Sequence, residues 1–360
     1  MVYLIAPIVW NAGQNWDRNI ETKIHHLGGN TGNLVWFEAV RRKIRYDMIG
    51  QSPFSDMGIK NIIFPMANQI NIQDKFLESW CLRIKDYHGR ITMIGLGAQL
   101  TDELNTPKKL VAALPQEQKW ALKELGSRTE TIGIRGSITA ECLELMGITN
   151  YRVIGCPSFY MKCDAKAFSK KVTADKLCVS WGSVDYAREQ YVREFFRHNA
   201  SNGGGDILLL QAMDDFPRTL YEGIPLLERH IKSRYPDIEV SPDEIASYIK
   251  MRGHIFFDWD SWQDFLKREQ FTLSVGCRFH GNMMSYLAGI PTLWIVHDSR
   301  TYELCEAMAL PYITLERAAK MENREQFAEC CVYGENFHKN RKRMQQIYEI
   351  FLHENGIERV

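Results

Sequence analysis

The chain has 360 residues, a length that predicts two domains. With 45% hydrophobic and 24% charged residues it has the composition of an ordinary globular protein, which excludes a disordered or disulfide-stapled chain. The 44 Lys and Arg residues balance the 44 Asp and Glu residues, so the formal net charge is zero. This balance argues against a nucleic-acid-binding protein, which usually carries a basic excess.

Cysteine usage and hydropathy further narrow the kind of protein that this sequence encodes. No apolar run reaches the ~18 residues of a membrane-spanning helix, and the segment 2–10 predicts a strand rather than a signal peptide. The nine cysteines form no C-x-x-C pair, a pattern typical of reduced thiols in a cytoplasmic protein. We therefore expect no metal site. The sequence also contains no P-loop signature, and no G-x-G-x-x-G follows a strand.

Apolar runs alternate with segments of helical period along the chain. Predicted strands cover 3–9, 61–64, 90–94, 131–134, 151–154, 176–181, 206–211, 238–240, 254–257, 271–275 and 291–296. Predicted helices cover 34–44, 73–85, 115–125, 137–146, 186–198, 219–235, 259–269, 282–288 and 302–308. This alternation is typical of parallel sheets with crossover helices. It predicts an α/β fold of two facing Rossmann-like domains with an interdomain cleft.

The segment 160–176 has no strand pattern and is interpreted as a linker between the two halves. We therefore predict an N-terminal domain at 1–165, a C-terminal domain at 166–323 and a helical tail at 324–360. Ligands of open α/β sheets bind beyond the carboxyl ends of the strands, so the loops at those ends are the candidate sites.

The first candidate loop, at 28–33, precedes the helix predicted from residue 34. Its glycines and asparagines permit tight turns and present backbone N–H groups at a helix N-terminus, which suits an anion or a hydroxyl-rich ligand. The alternative is a plain turn in which Asn33 caps the helix. The candidate contacts are Gly29, Asn30, Thr31, Gly32 and Asn33.

The second candidate loop follows the predicted strand 271–275 and contains Arg278, His280 and Gly281. The planar guanidinium of an arginine suits a carboxylate or phosphate, and histidine transfers protons near neutral pH. The alternative is a surface arginine beside a histidine that hydrogen-bonds to the backbone.

The third candidate loop follows the predicted strand 291–296. It contains His297, Asp298, Ser299, Arg300 and Glu303, and Arg300 is the first choice for a ligand contact. The alternative is that Asp298 only caps the next helix.

Weaker candidates lie at two further strand ends, where Gly97, Gln99 and Arg135 follow apolar runs. A tight turn or a local ion pair would explain them equally well. In the tail, the basic run at 339–343 is either a solvated helix face or a peripheral membrane contact.

Four segments together resemble the polysaccharide pyruvyl transferase family. They are GNTGN at 29–33, IGIRGSITAECLELMG at 132–147, IGCPS at 154–158 and CRFHGNMMSYLAGIP at 277–291. Their order and spacing extend from about residue 28 to about 310. The Arg-x-His-Gly segment followed by Ala-Gly-Ile-Pro is the most specific of these matches.

The resemblance implies a glycosyltransferase-B-like fold and phosphoenolpyruvate (PEP) as donor substrate, with no metal or organic cofactor. It implies that the acceptor is a hydroxyl pair on a sugar or lipid-linked oligosaccharide. The product would be a pyruvate ketal on a bacterial surface polysaccharide or its precursor. The expected location is the cytoplasm, with possible contact at the inner face of the membrane.

On this reading, Arg278 stabilises the charge of the leaving phosphate, and His280 is the general acid toward C3 of PEP or toward the phosphate. Asp298 or Glu303 would be the base for the attacking hydroxyl. The 28–33 loop, with Gln99 and Arg135 nearby, would contact the acceptor sugar or close over the donor from the N-terminal domain.

Two alternatives remain at this point. One is a nucleotide-sugar-dependent glycosyltransferase of the same fold, in which the strand-end cations would hold a sugar diphosphate. The other is a non-catalytic module that binds glycans or anions.

Overall fold

The computed structural model describes residues 1–9, 19–51, 58–83, 87–163, 168, 171–180, 205–212 and 250–360. The predicted helices at 186–198 and 219–235 and the predicted strand at 238–240 lie outside these residues.

The first lobe is built on a six-stranded parallel sheet. Its strands are β1 (Val2–Ile5), β2 (Met48–Gly50), β3 (Asn61–Pro65), β4 (Arg90–Leu96), β5 (Ile132–Ile134) and β6 (Tyr151–Val153), in the order β2-β1-β3-β4-β5-β6. Its helices are α1 (Ile20–His26), α2 (Asn33–Lys43), α3 (Phe76–Arg83), α4 (Pro107–Ala113), α5 (Gln116–Ser127) and α6 (Ser137–Leu145). The strand order reverses between β1 and β3, which is a topological switch point.

The second lobe has a second six-stranded parallel sheet. Its strands are β7 (Leu177–Ser180), β8 (Ile207–Leu209), β9 (Gly253–His254), β10 (Leu273–Gly276), β11 (Thr292–Val296) and β12 (Tyr312–Thr314). The order β12-β11-β10-β7-β8-β9 is that of a Rossmann domain, with its switch point between β7 and β10. The predicted fold class, two facing Rossmann-like domains in a glycosyltransferase-B-like arrangement, is thereby confirmed.

Six helices are described after β7 in chain order. They are α7 (Trp259–Glu269), α8 (Phe279–Leu287), α9 (Ser299–Met308), α10 (Leu315–Ala318), α11 (Arg324–Cys330) and α12 (Glu335–Glu354). Helix α7 matches its predicted bounds because clear signals mark both ends. The Asp258 side chain accepts a hydrogen bond from the Ser261 N–H at 2.8 Å, and Gln270 adopts a left-handed φ of 54°.

Strands β7 and β10 approach each other closely at the switch point of the second sheet. The Arg278 N–H donates to the Ser180 carbonyl at 3.4 Å, and the Ser180 hydroxyl donates to the Arg278 carbonyl at 3.0 Å. A Cβ on Gly276 would lie 2.1 Å from the Ser180 carbonyl oxygen. With glycine at this position, β10 approaches β7 closely enough to place Arg278 beside Ser180, the last residue of β7.

The two lobes contact each other through hydrogen bonds near the strand ends. The Thr31 N–H donates to the Gln211 carbonyl at 2.8 Å, and the Leu100 N–H donates to the Ser299 hydroxyl at 2.9 Å. The Thr139 hydroxyl, on α6, donates to the carboxylate of Glu303, on α9, at 2.8 Å. These contacts hold the carboxyl edges of both sheets toward one shared space.

The tail helix α12 returns to the first lobe. The Arg152 guanidinium is paired with Glu354, and the Asn355 side chain donates to the Thr131 carbonyl at 3.0 Å. Beyond the helix, the Arg45 N–H donates to the Glu358 carbonyl at 2.8 Å. The domain boundaries at 165/166 and 323/324 stay predictions.

The basic run of the tail lies on α12. Lys339 forms an exposed pair with Glu335, while the Arg341 guanidinium lies over the Tyr286 ring at 5.9 Å from its centroid. No helix within the described ranges is long and apolar enough to cross a membrane. Membrane contact by this run stays a prediction.

We expect Gly276→Ala to destabilise the second lobe, because the added methyl overlaps the Ser180 carbonyl. The expected loss is about 1–3 kcal/mol in the free energy of unfolding, measured by chemical denaturation. Gly334→Ala is the matched control, since a Cβ there meets no atom within 4 Å and should cost under about 1 kcal/mol. Equal losses in the two variants would contradict the packing argument.

Glu303 predicts a pH dependence of stability. Burial raises the pKa of its carboxyl from 4.5 to about 7, although the Thr139 hydrogen bonds and Arg135 oppose the rise. Because the folded pKa lies above the unfolded one, this group's contribution to stability is complete below pH 4.5 and is lost as the pH rises through 7.

We therefore expect Glu303→Gln to become more stable relative to the wild type by about 2–3 kcal/mol between pH 4.5 and pH 8, measured by unfolding at a series of pH values. Glu306→Gln, on the exposed side of the same helix, is the control. If the free energies of unfolding of the wild type and Glu303→Gln changed with pH in parallel, this carboxylate would not titrate as described.

Candidate active site

A cavity of about 640 Å³ lies between the two lobes, at the carboxyl edges of both sheets. The first lobe contributes Asn30, Asn33, Trp36, Ala67, Asn68, Gln99, Leu100, Thr101, Asp102, Asn105 and Arg135. The second lobe contributes Gln211, Cys277, Arg278, Phe279, His280, His297, Asp298, Ser299, Arg300, Thr301 and Leu304. Residues as far apart in the sequence as Asn30 and Leu304 thus meet in one space.

The cavity carries more positive than negative charge. Three arginines, Arg135, Arg278 and Arg300, line it together with two aspartates, Asp102 and Asp298. Two histidines, at 280 and 297, add proton-accepting groups to the wall. Such a wall favours an anionic ligand, because low-dielectric surroundings strengthen the field of fixed cations.

Arg278 and His280 come from the turn between β10 and α8, as the sequence predicts. Arg278 is the N-cap residue of α8, and both side chains are half-buried in the cavity wall. The N-terminal end of α8 also lines the cavity through Phe279. Backbone N–H groups at this end add partial positive charge beside the two side chains.

Burial lowers the pKa of His280 well below its usual range, and the charges of Arg135 and Arg300 lower it further. The imidazole is therefore neutral at pH 7. An anionic ligand would raise this pKa, because a negative charge nearby favours the imidazolium.

Arg135 is a buried cation with neutral partners. Its Nε donates to the Gly95 carbonyl at 2.9 Å and its Nη1 to the Asn68 side chain at 2.6 Å. Within the described part of the chain, no carboxylate lies within 4 Å of this guanidinium. Because arginine stays protonated even when burial lowers its pKa, Arg135 is a charge that a bound anion would compensate.

Asp298 is the N-cap residue of α9 and is fully engaged. It accepts from the Thr301 N–H at 2.8 Å and from Arg300 Nε at 2.7 Å, and the His297 Nε2 lies 3.3 Å away. Burial alone would raise the pKa of Asp298, but the Arg300 charge and the His297 contact hold it well below its usual range. A carboxylate with such a low pKa is a weak proton acceptor, so these contacts favour positioning of Arg300 over the role of base.

His297 also presents an unsatisfied atom at the cavity. Its side chain is only 7% exposed, and its Nδ1 has no hydrogen-bond partner among the described residues. The other ring nitrogen contacts Asp298. An unpaired buried ring nitrogen is unusual in a folded protein, because most buried polar atoms have a hydrogen-bond partner.

One part of the 28–33 loop lines the cavity, and another part contacts the second lobe. Asn30 and Asn33 line the cavity, whereas Gly29, Thr31 and Gly32 do not. The N-cap residue of α2 is Gly32 and not Asn33, so the alternative of a capping role for Asn33 is wrong. Instead the Asn33 side chain donates to the Leu27 carbonyl at 2.9 Å.

Gly32 is required for a close approach between the lobes. A Cβ at this position would lie 2.5 Å from the Gln211 Oε1 and 3.2 Å from the His280 Cβ. The Thr31 side chain beside it is fully buried. The glycine therefore brings the first lobe directly against the histidine of the second.

Other predicted residues differ in their placement. Gln99, His297, Ser299 and Arg300 line the cavity, whereas Gly97, Gly281 and Glu303 lie outside its lining. Glu303 is 1% exposed and binds the Thr139 N–H and hydroxyl, which is a lobe contact and not a ligand contact in this state.

Sequence reasoning missed several polar side chains of the wall, among them those of Trp36, Asn68, Asp102 and Gln211. Asn68 and Gln211 follow the ends of β3 and β8. The rule that ligands bind beyond the carboxyl ends of parallel strands would have found both. Across the described ranges, no group of His, Cys, Asp and Glu side chains is arranged to hold a metal ion.

Comparisons with solved structures return matches of low identity. A proposed UDP-N-acetylglucosamine 2-epimerase from Listeria monocytogenes has 12% identity and a TM-score of 0.46, covering 100% of this chain and 97% of the other. A functionally uncharacterised protein from Klebsiella pneumoniae has 10% identity and a TM-score of 0.41, covering 79% and 89%. A UDP-glucose:anthocyanidin 3-O-glucosyltransferase in complex with UDP has 12% identity and a TM-score of 0.37, covering 82% and 71%.

No curated protein matches the sequence. A family model does: the model of the polysaccharide pyruvyl transferases matches residues 90–299. This range contains Arg135 at the end of β5 and both Arg278 and His280 after β10, which are cavity residues from each lobe. It covers more than half of the sequence, and on that evidence the chain belongs to the polysaccharide pyruvyl transferase family.

Proposed function

We propose that this protein transfers the pyruvyl group of PEP to a pair of hydroxyls on a sugar, forming a pyruvate ketal. The acceptor is a bacterial surface polysaccharide or its lipid-linked precursor, modified on the cytoplasmic side. The observation that carries the proposal is the cluster of Arg135, Arg278 and Arg300 around His280 in one interlobe cavity.

The donor is small and carries about three negative charges near pH 7, so it needs fixed cations on several sides. Arg278 lies at the N-terminus of α8, and Arg300 lies near that of α9. Arg135 faces them from the first lobe. Guanidinium groups bind carboxylate and phosphate through paired hydrogen bonds, which supports the assignment of a phosphorylated carboxylic acid.

The acceptor side of the proposal rests on amide side chains. Asn30, Asn33, Asn68 and Gln99 line the part of the cavity that the first lobe provides, beside the ring of Trp36. Side-chain amides both donate and accept hydrogen bonds, as do sugar hydroxyls. The first lobe thus suits a sugar, while the second lobe supplies most of the cationic groups.

The reaction needs one protonation and two bond-forming steps. One sugar hydroxyl adds to C2 of PEP while C3 takes a proton. The second hydroxyl then displaces phosphate, which takes up the proton of that hydroxyl, and the ring closes. His280 provides the proton for C3, and Arg278 stabilises the charge of the departing phosphate. A positioned acid typically contributes ~10²–10⁴-fold to the rate.

Ligand-dependent unfolding tests the donor. We expect PEP to raise the midpoint of thermal unfolding, because a ligand that binds only the folded state stabilises it. A panel of nucleotide sugars at the same concentration is the comparison. Stabilisation by a nucleotide sugar and none by PEP would support the glycosyltransferase alternative instead. Release of inorganic phosphate from PEP in the presence of glycan acceptors then tests turnover.

We expect Arg278→Ala to weaken PEP binding about 10–100-fold, since a charge-assisted hydrogen bond contributes about 1.5–3 kcal/mol. Isothermal titration calorimetry measures this change. Arg268→Ala, on an exposed arginine of the same lobe with 69% of its side chain accessible, is the control and should bind like the wild type. An unchanged affinity in Arg278→Ala would remove this residue from the donor site.

We expect His280→Asn to lower kcat about 10²–10⁴-fold while the KM for PEP changes little, because the proton donor is lost and the cations remain. His88→Asn, at an exposed position of the first lobe, is the control. Near-normal turnover by His280→Asn would exclude this imidazole from the chemistry.

A further inference from the structure

A thiol of the first lobe contacts the histidine of the second lobe. Cys156 follows β6 and is fully buried, with its Sγ 3.5 Å from Nε2 of His280. The same sulfur lies 2.9 Å from the hydroxyl oxygen of Ser158. Ser158, Cys156 and His280 thus form a series of contacts that leads from the first lobe to the cavity wall.

The resting pair is a neutral thiol and a neutral imidazole. Burial raises the pKa of the Cys156 thiol, an effect that the Arg135 charge and Ser158 oppose, and burial lowers the pKa of His280. A neutral imidazole carries one N–H, and its other nitrogen accepts a hydrogen bond. A thiol that donates to Nε2 leaves the ring hydrogen on Nδ1.

Charged and titratable groups surround this pair from several elements. Arg135 lies at the end of β5 and Arg300 on α9, and both act on His280. Tyr160, in the short 3-10 helix Pro157–Tyr160, and Tyr348, on α12, lie near Cys156. Burial raises the pKa of both tyrosines, so they stay neutral in the pH range in which His280 works.

We propose that Cys156 is a positioning residue for His280, whose thiol donates to Nε2 and holds the imidazole as the Nδ1–H tautomer. This inference rests on the proposed function for its catalytic consequence, but the tautomer itself is a property of the resting protein. It makes Nδ1 the nitrogen that carries the proton toward a ligand.

The proton balance of the proposed step follows from this arrangement. When the Nδ1–H bond breaks and the C3–H bond of PEP forms, the Cys156 proton moves from Sγ to Nε2. The imidazole stays neutral, and the negative charge comes to lie on sulfur, where Arg135 stabilises it. The proton released by the attacking hydroxyl then restores the thiol and the Nδ1–H tautomer, so no other acid is consumed.

The tautomer is measured by long-range ¹H–¹⁵N spectra of histidine-labelled protein, with His280→Asn identifying the signal. We expect the Nδ1–H form in the wild type and the Nε2–H form, or a mixture, in Cys156→Ala. Cys156→Ser retains a hydrogen-bond donor and should keep the wild-type form at least in part. Cys178→Ala is the matched control, because Cys178 is equally buried and also contacts a serine hydroxyl, that of Ser285, at 3.6 Å.

Kinetics provide the second measurement. In the release of phosphate from PEP, Cys156→Ala should lower kcat about 10–100-fold with an unchanged KM for PEP, and should shift the pH profile of kcat. Cys156→Ser should recover part of the rate, and Cys178→Ala should leave rate and profile unchanged.

The outcomes separate this inference from the proposed function. An Nε2–H tautomer in the wild type, or an Nδ1–H tautomer that persists in Cys156→Ala, overturns the positioning role whatever the enzyme's activity. If the tautomer responds as expected while the wild type neither binds nor consumes PEP, the positioning role stands and the proposed donor fails. An Nε2–H form in the wild-type spectrum overturns the positioning role even if the Cys156 variants do not fold.

Discussion

Two parallel sheets present their carboxyl edges to one space, and this constraint decides which side chains of the chain meet. The turn after β10 can place Arg278 and His280 in the cavity only because Gly276 lets that strand approach Ser180. The loop before α2 reaches the same place because Gly32 has no side chain to collide with Gln211 and His280. The charge of the cavity thus depends on backbone approach at two glycines, one in each lobe.

The lobes contribute different chemistry to the cavity. The second lobe supplies Arg278, Arg300 and both histidines, whereas the first lobe supplies mostly amides and one buried guanidinium, that of Arg135. Burying Arg135 among neutral acceptors is unfavourable in isolation, since a charge is desolvated without a counter-ion. A bound anion would offset this unfavourable burial.

Hydrophobic pattern predicted the interior strands of both sheets and the edge strands β6 and β9, but it missed the edge strands β2 and β12. Strands β7, β10 and β11 are buried along their whole length and appear in the sequence as mostly apolar runs. Strands β2 and β12 have three residues each and partly exposed side chains, so no such run marks them.

The rule that ligands bind beyond the carboxyl ends of parallel strands correctly placed Arg278 and Arg300 in the cavity wall. It could not tell which residues of the following helix line the cavity and which contact the other lobe. Glu303 lies about 100° around α9 from the cavity residue Leu304 and therefore faces α6 instead. The contact of Cys156 with His280 joins positions 124 residues apart, which no local pattern of the sequence reveals.

The return of α12 to the first lobe has a mechanical consequence. The chain passes between the lobes twice, once between Val153 and Leu177 and again between Thr314 and Glu335. Two covalent connections limit how far the lobes can separate. Any movement of the lobes apart would have to break the Thr139–Glu303 and Thr31–Gln211 contacts, and it would also draw Arg135 away from the two arginines of the second lobe.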